Sequence, residues 1–284
     1  MTRGHLRLRR IPILAGTLCL MGGQLLAQGG GGTALQPPKT PKESAPLDLT
    51  GYWASAITED WRFRMVTPPT GDFAGVPLTP EGTKAAKAWD MAKDISSGEQ
   101  CRPFGAAGIM RMPVRLHITW QDDTTLRMEI DNGNQVRLFR FDKSTPAPAR
   151  ADWQGLSLAV WESVQQGQSI APAAGGGGGG RGGMNAGPAL SGSLKVMTTK
   201  MRPGYLRRNG VPYSANAVMT EFFDRTEEPN KDSWLILTSS VEDPQNLVIP
   251  FMLTTQFKRE ADGSKFNPRP CEETAPVEVL PAQP

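Results

Sequence analysis

From about residue 49 to residue 260 the chain repeats one local pattern: short runs rich in Val, Ile, Thr, Trp and Phe, each ended by turn residues. That spacing predicts antiparallel sheet. Candidate strands fall near 50–58, 61–67, 114–121, 124–131, 135–142, 156–162, 192–201, 217–225, 233–242 and 250–259. The clearest pair is a hairpin. Leu126, Met128 and Ile130 alternate with Arg127 and Glu129, Asp131-Asn132-Gly133-Asn134 turns the chain, and Val136 to Phe141 returns. Asn-Gly suits this turn because both residues tolerate positive φ. Upstream, Leu116, Ile118 and Trp120 share one face and Asp122-Asp123 turns the chain, which extends the hairpin to a three-strand meander. So many strands close or stack, because an open sheet edge invites aggregation. The expected fold is mainly β: one antiparallel β-barrel domain over 48–271 with a ligand-sized interior and one short helix, with a β-sandwich as the alternative. The helix is expected from Leu78-Thr79-Pro80-Glu81, where Thr79 serves as N-cap and Pro80 takes the first helical position, and it ends before Ser96.

The first residues carry Arg3, Arg7, Arg9 and Arg10 and no acid, an apolar run from Ile11 to Leu26 follows, and Ala27 stands before a Gly-rich stretch. This is the pattern of a secretory signal peptide cleaved near Ala27, and it implies a periplasmic or secreted protein. An uncleaved anchor is the alternative; the run is short for a bilayer span and holds Gly16, Gly22 and Gly23. No later apolar run is long enough to cross a membrane. Of 31 basic and 28 acidic residues, residues 1–27 hold four basic and no acidic ones, which leaves 27 against 28. A balanced mature chain carries no nucleic-acid footprint. Cys101 and Cys271 remain after cleavage, and an even pair in an oxidising compartment reads as a disulfide, with two buried thiols as the alternative. The mature chain has a single histidine, His117, so no metal site and no cofactor are expected.

Residues 28–47 read as a flexible tether and 272–284 as a Pro- and Glu-rich tail. The stretch 165–191, with six consecutive glycines from Gly175 to Gly180, reads as a disordered insertion, since no strand-to-helix context or phosphate-loop lysine accompanies it.

The first strand opens Asp48-Leu49-Thr50-Gly51-Tyr52-Trp53. Gly51-x-Trp53 resembles the lipocalin, or calycin, signature, which implies that the glycine lets the chain turn sharply into the strand and the tryptophan plugs the barrel floor. Asp48 to Trp53, Leu78 to Gly82, Cys101 to Met112, Gly155 to Glu162 and Gly192 to Pro250 are also similar to a family of secreted bacterial proteins of unknown function. Many of these carry a histidine after Gly-x-Pro; here Gly210-Val211-Pro212 is followed by Tyr213. The resemblance implies secretion and a barrel, and no established reaction.

Three residues are candidates for catalysis. Glu221 alternates with Met219 and Phe223, so it points into a barrel, where burial would suit it to acid–base work or where an arginine such as Arg127 or Arg137 would pair with it. Asp243 ends the next strand before Pro244, as a second carboxylate or as the start of a turn. His117 would have to anchor any triad, and no Gly-x-Ser-x-Gly elbow accompanies it. The segment 200–214 places Arg202, Arg207 and Arg208 with Tyr205 and Tyr213 between strands; guanidinium forks suit a carboxylate or phosphate and tyrosines orient a ring, so Arg202, Tyr205, Arg207 and Tyr213, with Trp120, are candidate ligand-binding residues. The expected function is binding of a small, mostly apolar molecule with an acidic or polar end. The alternatives are a carboxylate-based lyase, isomerase or hydrolase on the same barrel, and an envelope interaction module.

Overall fold

A computed structural model describes residues 39–146, 149–163 and 192–277. The signal-peptide reading, most of the tether, the Gly-rich insertion and the end of the tail lie outside these residues.

The chain forms β1 (Gly51–Ala56), α1 (Trp61–Arg64), α2 (Pro80–Lys87), α3 (Met91–Ser96), a 3₁₀ turn (Arg102–Phe104), α4 (Ala106–Ile109), β2 (Arg115–Asp122), β3 (Thr125–Ile130), β4 (Asn132–Gly133), β5 (Gln135–Arg140) and β6 (Leu156–Ser163). There follow β7 (Gly192–Thr199), β8 (Gly204–Arg207), β9 (Val211–Tyr213), β10 (Val218–Glu227), β11 (Ser233–Glu242), β12 (Phe251–Glu260) and β13 (Arg269–Pro270). Nine strands close a barrel in the order β1-β12-β11-β10-β7-β6-β5-β3-β2. An odd number cannot alternate direction all the way round. One neighbouring pair must therefore be parallel, and β5–β6 is that pair, joined only at Phe139↔Ser157 and Arg140↔Leu158. Closure removes the edges that so many strands would otherwise expose.

Alternation fills the interior. Trp53, Leu116, Ile118, Leu126, Met128, Phe139, Leu194, Val196, Phe223, Leu235, Leu237 and Phe257 all belong to one buried cluster. This packing overturns the expected ligand-sized interior: inward positions carry large side chains on nearly every strand, and these meet across the axis. Gly51 adopts φ +116 and Trp53 is completely buried, its Nε1–H donating to the Leu49 carbonyl at 2.9 Å. Asn132-Gly133 makes the expected turn, Gly133 at φ +83, with its backbone close against Phe104.

One end of the barrel is capped. Residues 57–114 and the β8–β9 hairpin lie there, and Met201, Leu206, Val211, Tyr213, Met219, Val241, Leu247 and Phe251 form a second core beneath them. Thr79 caps α2 by accepting the Gly82 N–H at 3.0 Å, as its sequence predicts. The expected single helix is two: the chain breaks at Ala88–Asp90 and Asp90 caps α3 through the N–H groups of Ala92 and Lys93. The expected strand at 61–67 is one helical turn, because Asp60 at φ +51 reverses the chain and Arg64, not an apolar residue, turns inward. Cys101 and Cys271 form a disulfide, 170 residues apart, that fastens the segment after β12 to the cap. The described part of the tether also contacts the barrel: Pro41 accepts from Trp161 Nε1 at 2.8 Å and the Lys42 N–H donates to Asp123.

Candidate functional site

Glu221, Asp243 and His117 occupy three separate environments. Glu221 faces into the barrel at 0% exposure, bound through both oxygens to Arg137, with Thr198 and Ser157 completing the polar patch. The pair matches the arginine partner expected from sequence. Asp243 is buried at the cap end, where it accepts from the Ser214 N–H, the Ser214 hydroxyl and Asn246 Nδ2, each at 2.7 Å. These bonds tie the β9–β10 connection to the turn after β11. His117 lies on the outer face of β2, stacked on Tyr52 at 4.2 Å and 2.9 Å from Glu129. Burial works against the charge on Glu129, but the hydrogen bonds from Arg127 and His117 outweigh it and hold its pKa below the usual value.

The candidate ligand-binding residues also divide. Trp120 packs with Phe141 and Trp161 at the end away from the cap. Tyr213 is buried in the second core, where desolvation raises its pKa. Arg202 pairs with Glu99 and stacks on Trp153 at 4.3 Å. Tyr205 donates to Asp94 at 2.6 Å beneath the Arg102 guanidinium; burial, then the bond to Asp94, raise its pKa. Glu273, just past the disulfide, has both carboxylate oxygens buried without a hydrogen-bond partner, and burial followed by the charge of Asp94 pushes its pKa up to about 7.

Arg207 belongs to a different constellation, most of which sequence reasoning missed. Its guanidinium lies 3.9 Å from the Phe63 ring centre and donates to the Ala74 carbonyl at 2.8 Å. Arg208 donates to the Arg64 carbonyl at 2.9 Å, and Arg64 Nε donates to the Arg111 carbonyl at 3.0 Å. Arg111 reaches Asp60 at 3.2 Å, and Arg64 pairs with Glu59. Arg64, Arg111 and Arg207 are 1%, 6% and 5% exposed. Burial lowers the pKa of all four arginines; Arg111, pressed further by the charge of Arg207, falls to about 10, as does Arg207. All four remain cationic at neutral pH. Arg64 Nη2, Arg111 Nε and Nη1, Arg207 Nε and Arg208 Nε are buried without an acceptor.

The barrel wall explains why a cleft forms here. β1 pairs with β12 only as far as Ala56↔Gln256, so Phe251–Thr255 continue with no strand on that side. The gap is a cleft of about 390 Å³ lined by Glu59, Asp60, Arg64, Arg111 and the β12 residues Met252 to Gln256. The Thr255 hydroxyl, also lining it, is buried and unpartnered. Guanidinium donors converge on one side and Met252 and Leu253 offer apolar surface on the other.

Comparison with family models, with curated proteins and with solved structures gave no match.

The signal for Arg64 and Arg111 was present in the sequence as a violation of pattern. Arg111 interrupts Ile109-Met110-Arg111-Met112, and Arg64 separates Phe63 from Met65. Arg111 is carried inward with buried Ile109, Met110 and Met112, whereas Arg64 turns inward while Trp61 and Met65 stay exposed. Among the described residues, no group of three or more His, Cys, Asp or Glu side chains is disposed to hold a metal ion, and no helix is long and apolar enough to cross a membrane.

Proposed function

We propose that this protein is an exported, lipocalin-like binding protein whose small ligand has an anionic head, a carboxylate or a phosphate, and a short apolar body. The arginine cleft carries the reading. Two guanidiniums, Arg64 and Arg111, line it beside Glu59 and Asp60, with Arg207 and Arg208 adjoining Arg111, and Arg64 Nη2 and Arg111 Nε and Nη1 are buried with no acceptor. A planar donor fork is suited to carboxylate and phosphate oxygens, and it binds them more strongly where water is excluded. Glu59 and Asp60, each nearly half exposed, already occupy two of the arginines. Their loop turns at the positive φ of Asp60, so an incoming anion can take over these donors as the loop yields. Met252 and Leu253 then contact the apolar body. The basic and apolar N-terminus and the disulfide support export.

The test is calorimetric titration of the oxidised protein with octanoate and with inorganic phosphate, at low and at physiological salt. Saturable binding of at least one, weakened on the order of tenfold or more by Arg111→Met, is expected. Equal heats from the unmodified protein and the variant would reject the cleft as the site. Native mass spectrometry of protein purified from its producing cell would then show whether any acidic small molecule is retained.

A further inference from the structure

The arginine cluster encloses a second, much smaller void. It measures about 10 Å³, is lined by Arg111, Arg207, Arg208, Phe63, Met112 and Leu206, and shares Arg111 with the outer cleft. No carboxylate lines it. Each of the three arginines is held from outside: Arg111 by Asp60, Arg207 by the Ala74 carbonyl and the Phe63 ring, and Arg208 by the Arg64 carbonyl. Four of their N–H groups, on Arg111 Nε and Nη1, Arg207 Nε and Arg208 Nε, remain buried with no acceptor.

We propose that this void is a halide site, occupied in solution by one chloride ion held among Arg111, Arg207 and Arg208. Size narrows the choice. A void of this volume takes about one water-sized guest, so a monatomic halide enters once the guanidiniums give slightly, whereas a carboxylate or a phosphate would need far more room. Charge narrows it further. A water molecule can accept from two of the free N–H groups but leaves three cations facing one another in a poorly solvated place. A monovalent anion attracts all three, accepts from several donors at once and offsets the repulsion between Arg111 and Arg207. Loss of water lowers the pKa of both Arg111 and Arg207; the charge of Arg207 lowers that of Arg111 further, while Asp60 and Asp72, outside the void, oppose the shift at Arg207. The ion is a fixed counter-charge beneath the cleft, and its presence does not depend on the cleft taking a ligand.

Thermal unfolding of the oxidised protein, at fixed pH and ionic strength with chloride replaced stepwise by gluconate, tests the site. Gluconate is too large for the void, and any effect of its carboxylate at the outer cleft, which Arg207 does not line, appears equally in Arg207→Met, against which each series is read. Chloride is expected to raise Tm saturably, by about 5 °C once it is roughly a hundredfold above its Kd. Arg207→Met is expected to flatten the series. Superimposable chloride and gluconate series would overturn the proposal, because a water-filled void is indifferent to the exchange. So would a chloride dependence that survives Arg207→Met unchanged. Should that variant fail to fold, crystals of the unmodified protein soaked in bromide decide. An anomalous peak among the three guanidiniums supports the site, and its absence at high bromide rejects it.

Discussion

Arg137 sits inside the barrel and Arg111 beneath its cap; both are almost withdrawn from water, yet their surroundings differ in one respect. Arg137 meets Glu221 through two N–H groups and Thr198 through a third contact, so one buried cation faces one buried anion. Arg111 meets a single half-exposed carboxylate, and its nearest charged neighbours include Arg207 and Arg64. Both are buried, and the charge balance differs. A balanced buried pair is a structural element that adds little net stability but is costly to break. An unbalanced cluster of well-held donors is suited to receive an anion from outside the chain. The same comparison shows why Glu221, the most chemically suggestive residue in the sequence, is poorly placed to meet a substrate: Arg137 occupies both of its oxygens and large side chains fill the space around it.

The largest expected effect breaks the balanced pair. Glu221→Ala strands the Arg137 charge and should cost about 3–5 kcal/mol in urea denaturation, whereas the double change Arg137→Met/Glu221→Leu should cost far less. Equal losses from the two would mean that the pair contributes net stability of its own. Next comes the disulfide: Cys101→Ser with Cys271→Ser should remove roughly 2–5 kcal/mol, measured by the same method. Arg111→Met sharpens the contrast from the other side. It leaves only the solvated Asp60 unpaired and relieves the repulsion from Arg207, so unfolding stability in low chloride should change by less than about 1 kcal/mol. A loss as large as that of Glu221→Ala would place Arg111 in the structural class and undo the comparison.

The smallest expected effect is one of pH. The Glu273 carboxyl has a higher pKa in the folded protein, about 7, than its unfolded value near 4.5. The folded state therefore holds the proton longer, and this residue's contribution to stability falls as pH rises from about 4.5 to 7 and is flat above. Burial and the charge of Asp94 drive the shift, with Arg102 opposing it. Glu273→Gln should leave Tm unchanged at pH 4.5 and raise it at pH 8 by about 2–4 °C, after allowance for solvent screening of a partly exposed group. A Tm gain of the same size at both pH values would show that ionisation is not its cause.

Strand pattern was legible because burial and alternation obey one rule: nine of the ten expected segments are barrel strands. The exception, 61–67, does alternate, with Trp61, Phe63 and Met65 against Arg62 and Arg64, yet Asp60 at φ +51 starts a helical turn that leaves Trp61 and Met65 exposed and buries Arg64. The pairing of Cys101 with Cys271 needed only the count of cysteines after residue 27. The arginine cleft was legible only in part. Arg207 and Arg208 stand in a visibly cationic loop, but Arg64 and Arg111 arrive from segments 47 residues apart and meet through a backbone carbonyl, a contact with no periodic signature. The filled interior was hidden for a similar reason. Alternation states which side chains point inward, and only the barrel's geometry determines whether they meet across the axis.

The parallel junction between β5 and β6 has a mechanical consequence. Elsewhere the wall is stitched by ladders of four to ten paired residues, as along β10–β11, but this junction is held by Phe139↔Ser157 and Arg140↔Leu158 alone. Thermal opening follows the line of fewest bonds, so the cylinder should part along this seam before any other and unroll as a curved nine-strand ribbon with β5 and β6 at its two margins. Amide protons bordering the seam would then exchange with solvent ahead of those in the β10–β12 wall, and the first water to reach the Arg137–Glu221 pair would come in sideways, through the wall.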